Sequence, residues 1–187
     1  MTSTQNALTR DKERTRRAVL VAAERLFNER GANVSIADVA AAAQVSKSGL
    51  LHHFRNRDDL YLAVIEDLVD RIRADVYAHV DISENRPGKL LRAYVRALTA
   101  EDSVAMVSFS PNSMLTTMGY TAEVAEICGR DADAWRTAFA ADGLDPALSL
   151  VVRNAAESLA ASARTPYLTE QELDIARVRL LAMAEPE

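Results

Sequence analysis

Between Ser46 and Arg57 the chain places Ser46, Lys47, Ser48, His52, His53 and Arg57 around Gly49 and Leu51, a concentration of short-range hydrogen-bond donors in twelve residues. Lysine, serine, histidine and arginine can all donate to phosphate oxygens or to acceptors on base edges. A glycine among them lets backbone approach a partner closely. Chemistry of other kinds is thin. The single cysteine, Cys128, has no histidine in its region, since the histidines stand at 52, 53 and 79. There is no Glu-x-x-His pair and no glycine-rich phosphate loop, so no enzyme activity and no cofactor are expected. His52 and His53 are adjacent and would point ~100° apart on a helix, which with no third ligand nearby predicts no metal site.

Those donors need a scaffold, and the flanking pattern supplies one. Two short apolar-patterned segments, Ile36–Ala43 and Lys47–Phe54, are separated only by Gln44, Val45 and Ser46. That is the arithmetic of two helices joined by a tight turn, a helix-turn-helix. Ser35 is a good N-cap for the first segment with Asp38 three residues on, and Ser46 can cap the second. Ile36, Val39, Ala40, Ala43, Val45, Leu50 and Phe54 can then face a small shared core. Lys47, Ser48, Gly49, His52 and His53 are left on the outer face of the second helix.

This stretch resembles the DNA-binding domain of the tetracycline-repressor family of bacterial transcription regulators. The matching residues are Ser35, Ile36, Ala37, Ala40, Val45, Ser46, Gly49, Leu50, His53, Phe54, Arg57 and Leu60. Two positions depart from the family pattern: Gln44 stands where the turn usually has glycine, and Leu51 where an aromatic residue commonly meets a phosphate. The resemblance implies that Lys47, Ser48 and Gly49 open a recognition helix, that His52 and His53 lie near DNA, that Leu51 can meet a thymine methyl, and that Ser35 and Arg57 sit at helix ends aimed at phosphates.

The charge distribution agrees. The net charge of −5 argues against nucleic acid, but residues 1–62 carry ten Lys and Arg against seven Asp and Glu, leaving twelve against twenty beyond. The basic run Arg10, Lys12, Arg14, Arg16, Arg17 stands just before the helix-turn-helix. Alone, such a run is ordinarily a solvated helix face; in this place it is a candidate phosphate-contacting arm.

The remainder is expected to be helical too, giving an all-α protein. Residues 1–9 lack periodicity and are expected to be a disordered lead-in, with a first helix from about Arg14 to Arg30 ended by Gly31. A long helix follows Asn56, and Pro87, Thr121, Asp145–Pro146 and the Thr169–Glu172 capping box mark later helix starts. We place a DNA-binding domain at residues 1–60 and an effector-binding and dimerisation domain at 61–187, linked by the long helix. Tyr94, Met106, Phe109, Met114, Met118, Tyr120, Trp135 and Phe139 compose a candidate apolar pocket, and by resemblance that pocket would hold a small, mostly apolar effector. The last two helices would pair two copies into a homodimer through Leu148, Val152, Ala155, Ala156, Leu159, Leu173 and Leu180. No apolar run approaches the ~20 residues needed to cross a bilayer, and no apolar signal core is visible, so a cytoplasmic protein is expected.

The leading expectation is therefore a sequence-specific, ligand-responsive transcriptional regulator, a repressor by family habit, acting on palindromic operator DNA. The alternative is a helical small-molecule-binding or protein-interaction module that does not bind DNA.

Overall fold

The computed structural model describes residues 3–109 and 118–186. Among them are nine α-helices and no strand: α1 (Ser3–Arg30), α2 (Ile36–Ala42), α3 (Lys47–His53), α4 (Arg57–Ala78), α5 (Lys89–Leu98), α6 (Val104–Ser108), α7 (Ala122–Ala141), α8 (Pro146–Ser162) and α9 (Glu170–Met183). The chain forms two compact units, Met1–Asp67 with the described part of Met114–Val124, and Leu68–Ser113 with Ala125–Glu187. Two of the divisions fall within helices: residues 57–67 of α4 go with the first unit and 68–78 with the second, and residues 122–124 of α7 with the first and 125–141 with the second.

In the first unit α1 supplies the floor. Val19, Leu20, Ala23 and Phe27 are buried with Val39, Leu50, Leu60 and Val64, as their helical spacing predicts. Helix α1 nevertheless begins at Ser3, well ahead of the expected start and inside the stretch expected to be a disordered lead-in. No glycine or proline interrupts residues 3–30, and Gln, Ala, Leu, Lys, Glu and Arg are good helix formers. A helix nucleated by the buried stripe at 19–27 therefore propagates backward at little cost.

Helix α2 ends in a Schellman arrangement. The Val45 amide donates to the Ala40 carbonyl at 3.0 Å and the Gln44 amide to Ala41 at 3.2 Å. This geometry puts Gln44 at φ 57°, the one described non-glycine residue with positive φ. A left-handed backbone strains any residue with a Cβ. Gln44→Gly should therefore stabilise the protein by about 0.5–1 kcal/mol, glycine's greater unfolded-state freedom offsetting part of the gain. Urea unfolding would check this, and an unchanged or lowered midpoint would count against strain at the turn.

In the second unit Leu91, Tyr94, Val95, Leu98, Met106, Trp135, Phe139, Val152, Ala156 and Leu180 share one core. Helix α5 starts at Lys89 and not at Pro87, because Gly88 turns the chain at φ 84°. Its first amides are capped from a distance: the Asp142 carboxylate accepts from Leu90 and Leu91, both at 2.9 Å. Arg92, buried in the middle of α5, donates to Glu84 at 2.5 Å, to the Pro87 carbonyl at 2.9 Å and to the Ala184 carbonyl, tying the end of α9 to the start of α5. Helices α7, α8 and α9 open on the expected caps, with Thr121, Asp145 and Thr169 side chains accepting from Val124, Leu148 and Glu172.

Candidate nucleic-acid interface

Helix α3 is seven residues long and is held at both ends. Ser46 Oγ accepts from the Gly49 amide at 3.0 Å, and Leu50 and Phe54 fasten its inner side to the core. A Cβ on Gly49 would sit 3.0 Å from Ser46 Oγ, so glycine here keeps the cap unobstructed. Of the expected outer face, Lys47, Ser48 and His52 are exposed and Gly49 and His53 half-buried; Leu51 is exposed with them. Ser46 is engaged twice, since its hydroxyl also lies 3.1 Å from that of Ser48.

The basic part of α1 lies beside this helix. The Arg16 guanidinium stands 5.6 Å from the Phe54 ring centre, and Lys12 and Arg16 both act electrostatically on His53. Partial burial, then repulsion from the neighbouring His52, Lys12 and Arg16 side chains, lowers the His53 imidazole from its ordinary value. This favours the uncharged imidazole, which can still donate through its ring N–H. Arg14 pairs with Asp11 at 2.5 Å and Arg17 with Asp67, so part of the basic run is balanced within the chain.

Ser35 is a cap first. Its hydroxyl accepts from the Asp38 amide at 3.2 Å and donates to the Asp38 carboxylate at 2.6 Å, while its own amide donates to the same carboxylate at 2.9 Å. These bonds hold Asp38 below the usual carboxylate range. The box is thus fully formed at neutral pH and is lost as pH falls through the lowered value.

Arg57 has a second role within the chain. Its Nε donates to the Val34 carbonyl at 2.8 Å and its Nη2 to Ala32 at 3.0 Å, with the guanidinium carbon 5.5 Å from the Phe27 ring centre. Nη2 also lies 3.5 Å from Met118 Sδ. Nε and Nη2 thus brace the loop before α2 against the start of α4, while Nη1 stands 3.8 Å from Asp58 Oδ1. The carbonyls Arg57 serves are 23 and 25 positions away, a pairing that helical spacing cannot signal.

The eight candidate pocket residues do not line one cavity. Tyr94, Met106, Trp135 and Phe139 are packed core of the second unit, with Phe109 against them; the Trp135 and Phe139 rings stack at 5.4 Å, and Tyr94 meets each edge-on at 5.3 Å. The Tyr94 hydroxyl donates to Glu157 at 2.8 Å, and burial with that carboxylate pushes it well above the ordinary phenol range. Met118 and Tyr120 go with the first unit, and Met114 lies outside the described residues. Two of the pocket candidates also border open space in the second unit, Met106 in a cleft and Phe139 in a cavity. The cleft, of about 430 Å³, is lined by Met106, Leu173, Arg164 and Arg177 among others, and the cavity, of about 230 Å³, lies between α7 and α8.

The expected dimer residues also need correcting. Val152, Ala156 and Leu180 are buried inside the chain's own core, and Leu148, Ala155, Leu159 and Leu173 pack partly against it. The apolar residues that α8 and α9 leave outward are Leu150, Val151, Ile175 and Val178, 55–65% exposed. Helix α8 is apolar on most of its circumference, so spacing alone did not fix which stripe faces in.

Comparison with known proteins follows this geometry. A family model described as bacterial regulatory proteins, tetR family, matches residues 19–64, and one described as tetracyclin repressor-like, C-terminal domain, matches residues 88–185. Nothing matches among curated protein sequences. Solved structures with the same fold include a TetR-family transcription regulator from Marinobacter aquaeolei VT8, 16% identical, covering 96% of this chain and 100% of that one at a TM-score of 0.69. A transcriptional regulator from Rhodococcus sp. Rha1 is 21% identical, with 90% and 95% covered and a TM-score of 0.65. A TetR-family transcriptional regulator from Haemophilus influenzae RD is 16% identical, with 94% and 99% covered and a TM-score of 0.63.

Proposed function

From the premise that the chain belongs to the tetR family of bacterial regulatory proteins, as a DNA-binding transcriptional regulator, we propose that it is a cytoplasmic repressor that leaves a palindromic operator when a small molecule binds its second unit. The observation that carries this reading is the α2–α3 turn with its outer face of Lys47, Ser48, Leu51 and His52, flanked by the basic α1. Two copies would present two α3 helices to successive major grooves, about 34–36 Å apart. The leucine at position 51 offers a methyl contact in place of a phosphate bond, so more of the backbone anchoring falls to Lys47 and the α1 run.

Dimerisation through α8 and α9 fits the outward apolar face of Leu150, Val151, Ile175 and Val178. No helix among the described residues is long and apolar enough to cross a membrane. An effector would act by favouring the conformation whose α3 spacing mismatches the operator, and its preference between the two states limits the shift it can cause. Among the described residues, the cleft and the cavity of the second unit offer it space.

Selection of bound sequences from random duplex DNA tests the reading directly. A recovered palindrome is the expected result, and failure to enrich any sequence would sink it. On the recovered site, Lys47→Ala should weaken binding by roughly tenfold, with the salt slope reduced by about one if the contact is to phosphate, or with relaxed choice at one base if it is to guanine. Unchanged affinity and specificity would remove Lys47 from the interface.

A further inference from the structure

The cavity between α7 and α8 has an unusual charge balance. Its wall is apolar at Phe139, Leu144, Pro146 and Leu150, and its charged lining consists of Arg136 and Arg153 with no carboxylate. Arg136 is balanced by Asp133, one turn earlier on α7. Arg153 is not balanced in this way. Its guanidinium carbon stands 4.6 Å from the Phe139 ring centre, and its buried Nε has no hydrogen-bond acceptor among the described residues. Nearby carboxylates are committed elsewhere: Glu157, four positions on, accepts from Tyr94, and Asp145 caps α8. A buried donor without a partner is rare in folded proteins and calls for an acceptor.

The larger cleft makes the contrast. There Glu101, Glu170 and Asp174 accompany Arg164 and Arg177, so it carries no excess positive charge. The smaller cavity does, and its volume of about 230 Å³ lies below the roughly 300–1,000 Å³ of sites for drug-sized ligands. We propose that this cavity binds a small organic monocarboxylate, with the carboxylate on Arg153, supported by Arg136, and an apolar body of about benzoate or hexanoate size against Phe139, Leu144 and Leu150. A carboxylate can pair with the guanidinium in a fork geometry and balance its charge, which a neutral group of the same shape cannot match. This names the chemical class of the effector and rests on the effector reading for its regulatory consequence. The binding itself requires no DNA.

The test is titration calorimetry on the full chain without DNA, using sodium benzoate, sodium hexanoate and neutral benzamide at one ionic strength. Saturable binding of one carboxylate per chain is expected, with benzamide at least about tenfold weaker. Arg153→Met should weaken carboxylate binding about tenfold or more. Ala140→Trp, which fills the cavity from an exposed position and leaves both arginines in place, should block it even if the Arg153 variant fails to fold. Absence of binding by both carboxylates, equal binding of benzamide, or carboxylate affinity that survives Ala140→Trp would each overturn the proposal. Since operator binding is measured separately, loss of this site would leave the DNA reading standing, and the converse holds.

Discussion

Arg57→Ala should destabilise the protein by about 2–4 kcal/mol, because it removes two charge-assisted bonds to carbonyls and a ring contact while leaving those carbonyls without their donor. For a chain of this size that is a fall in melting temperature of roughly 5–15 °C. Arg57→Lys should recover little of it. A lysine keeps the charge but cannot reach Val34 and Ala32 together with a planar fork. Operator binding measured well below the melting temperature should keep its salt slope in both variants. A phosphate contact would give the opposite pattern: near-normal stability, rescue by lysine, and a slope reduced by about one.

The second large effect is expected at the outward apolar face. Leu150→Asp combined with Val178→Asp should convert a dimer to a folded monomer, since both side chains are exposed in the single chain and neither supports its core. Operator affinity should then fall by about 10²–10⁴, because each recognition helix loses the local concentration that its partner provides. Light scattering on the eluting protein, circular dichroism and a duplex titration read the three parts separately. A variant that remains dimeric with unchanged affinity would place the interface elsewhere. Val152→Asp is the useful contrast: Val152 is fully buried in its own chain, so that change should unfold the second unit outright.

What the sequence made legible was local. The Ser35–Asp38 and Thr169–Glu172 boxes and the Asp145–Pro146 start are signals read within four residues, and each formed as expected. The turn between α2 and α3 is four residues where three were expected. The illegible parts depend on distance or on rotational phase. Asp142 caps α5 from some fifty positions away, Arg57 serves carbonyls upstream of the helix-turn-helix, and Arg92 is a charged residue inside an apolar run whose acceptors come from the loop before α5 and from the end of α9. Only a folded chain brings those groups together. Apolar composition cannot separate a filled core from a pocket: Tyr94 and Trp135 stand packed with Phe139 in the core, while Phe139 also lines the cavity between α7 and α8. The signal in the Arg136–Arg153 cavity was invisible for the same reason: two basic residues seventeen positions apart become informative only once no carboxylate is found between them.

The Gly119 carbonyl accepts from the Tyr61 hydroxyl at 3.2 Å, beside the Met118–Arg57 contact, so residues from beyond α6 complete the unit that carries α3. A recombinant fragment cut at residue 60 or 67 would lack them, and grafting this reading head onto another sensor would need two junctions more than a single splice provides. The protein is interlaced along its sequence, and insertions or deletions in the stretch between α6 and α7 are inherited by the DNA-reading end as directly as by the sensing one.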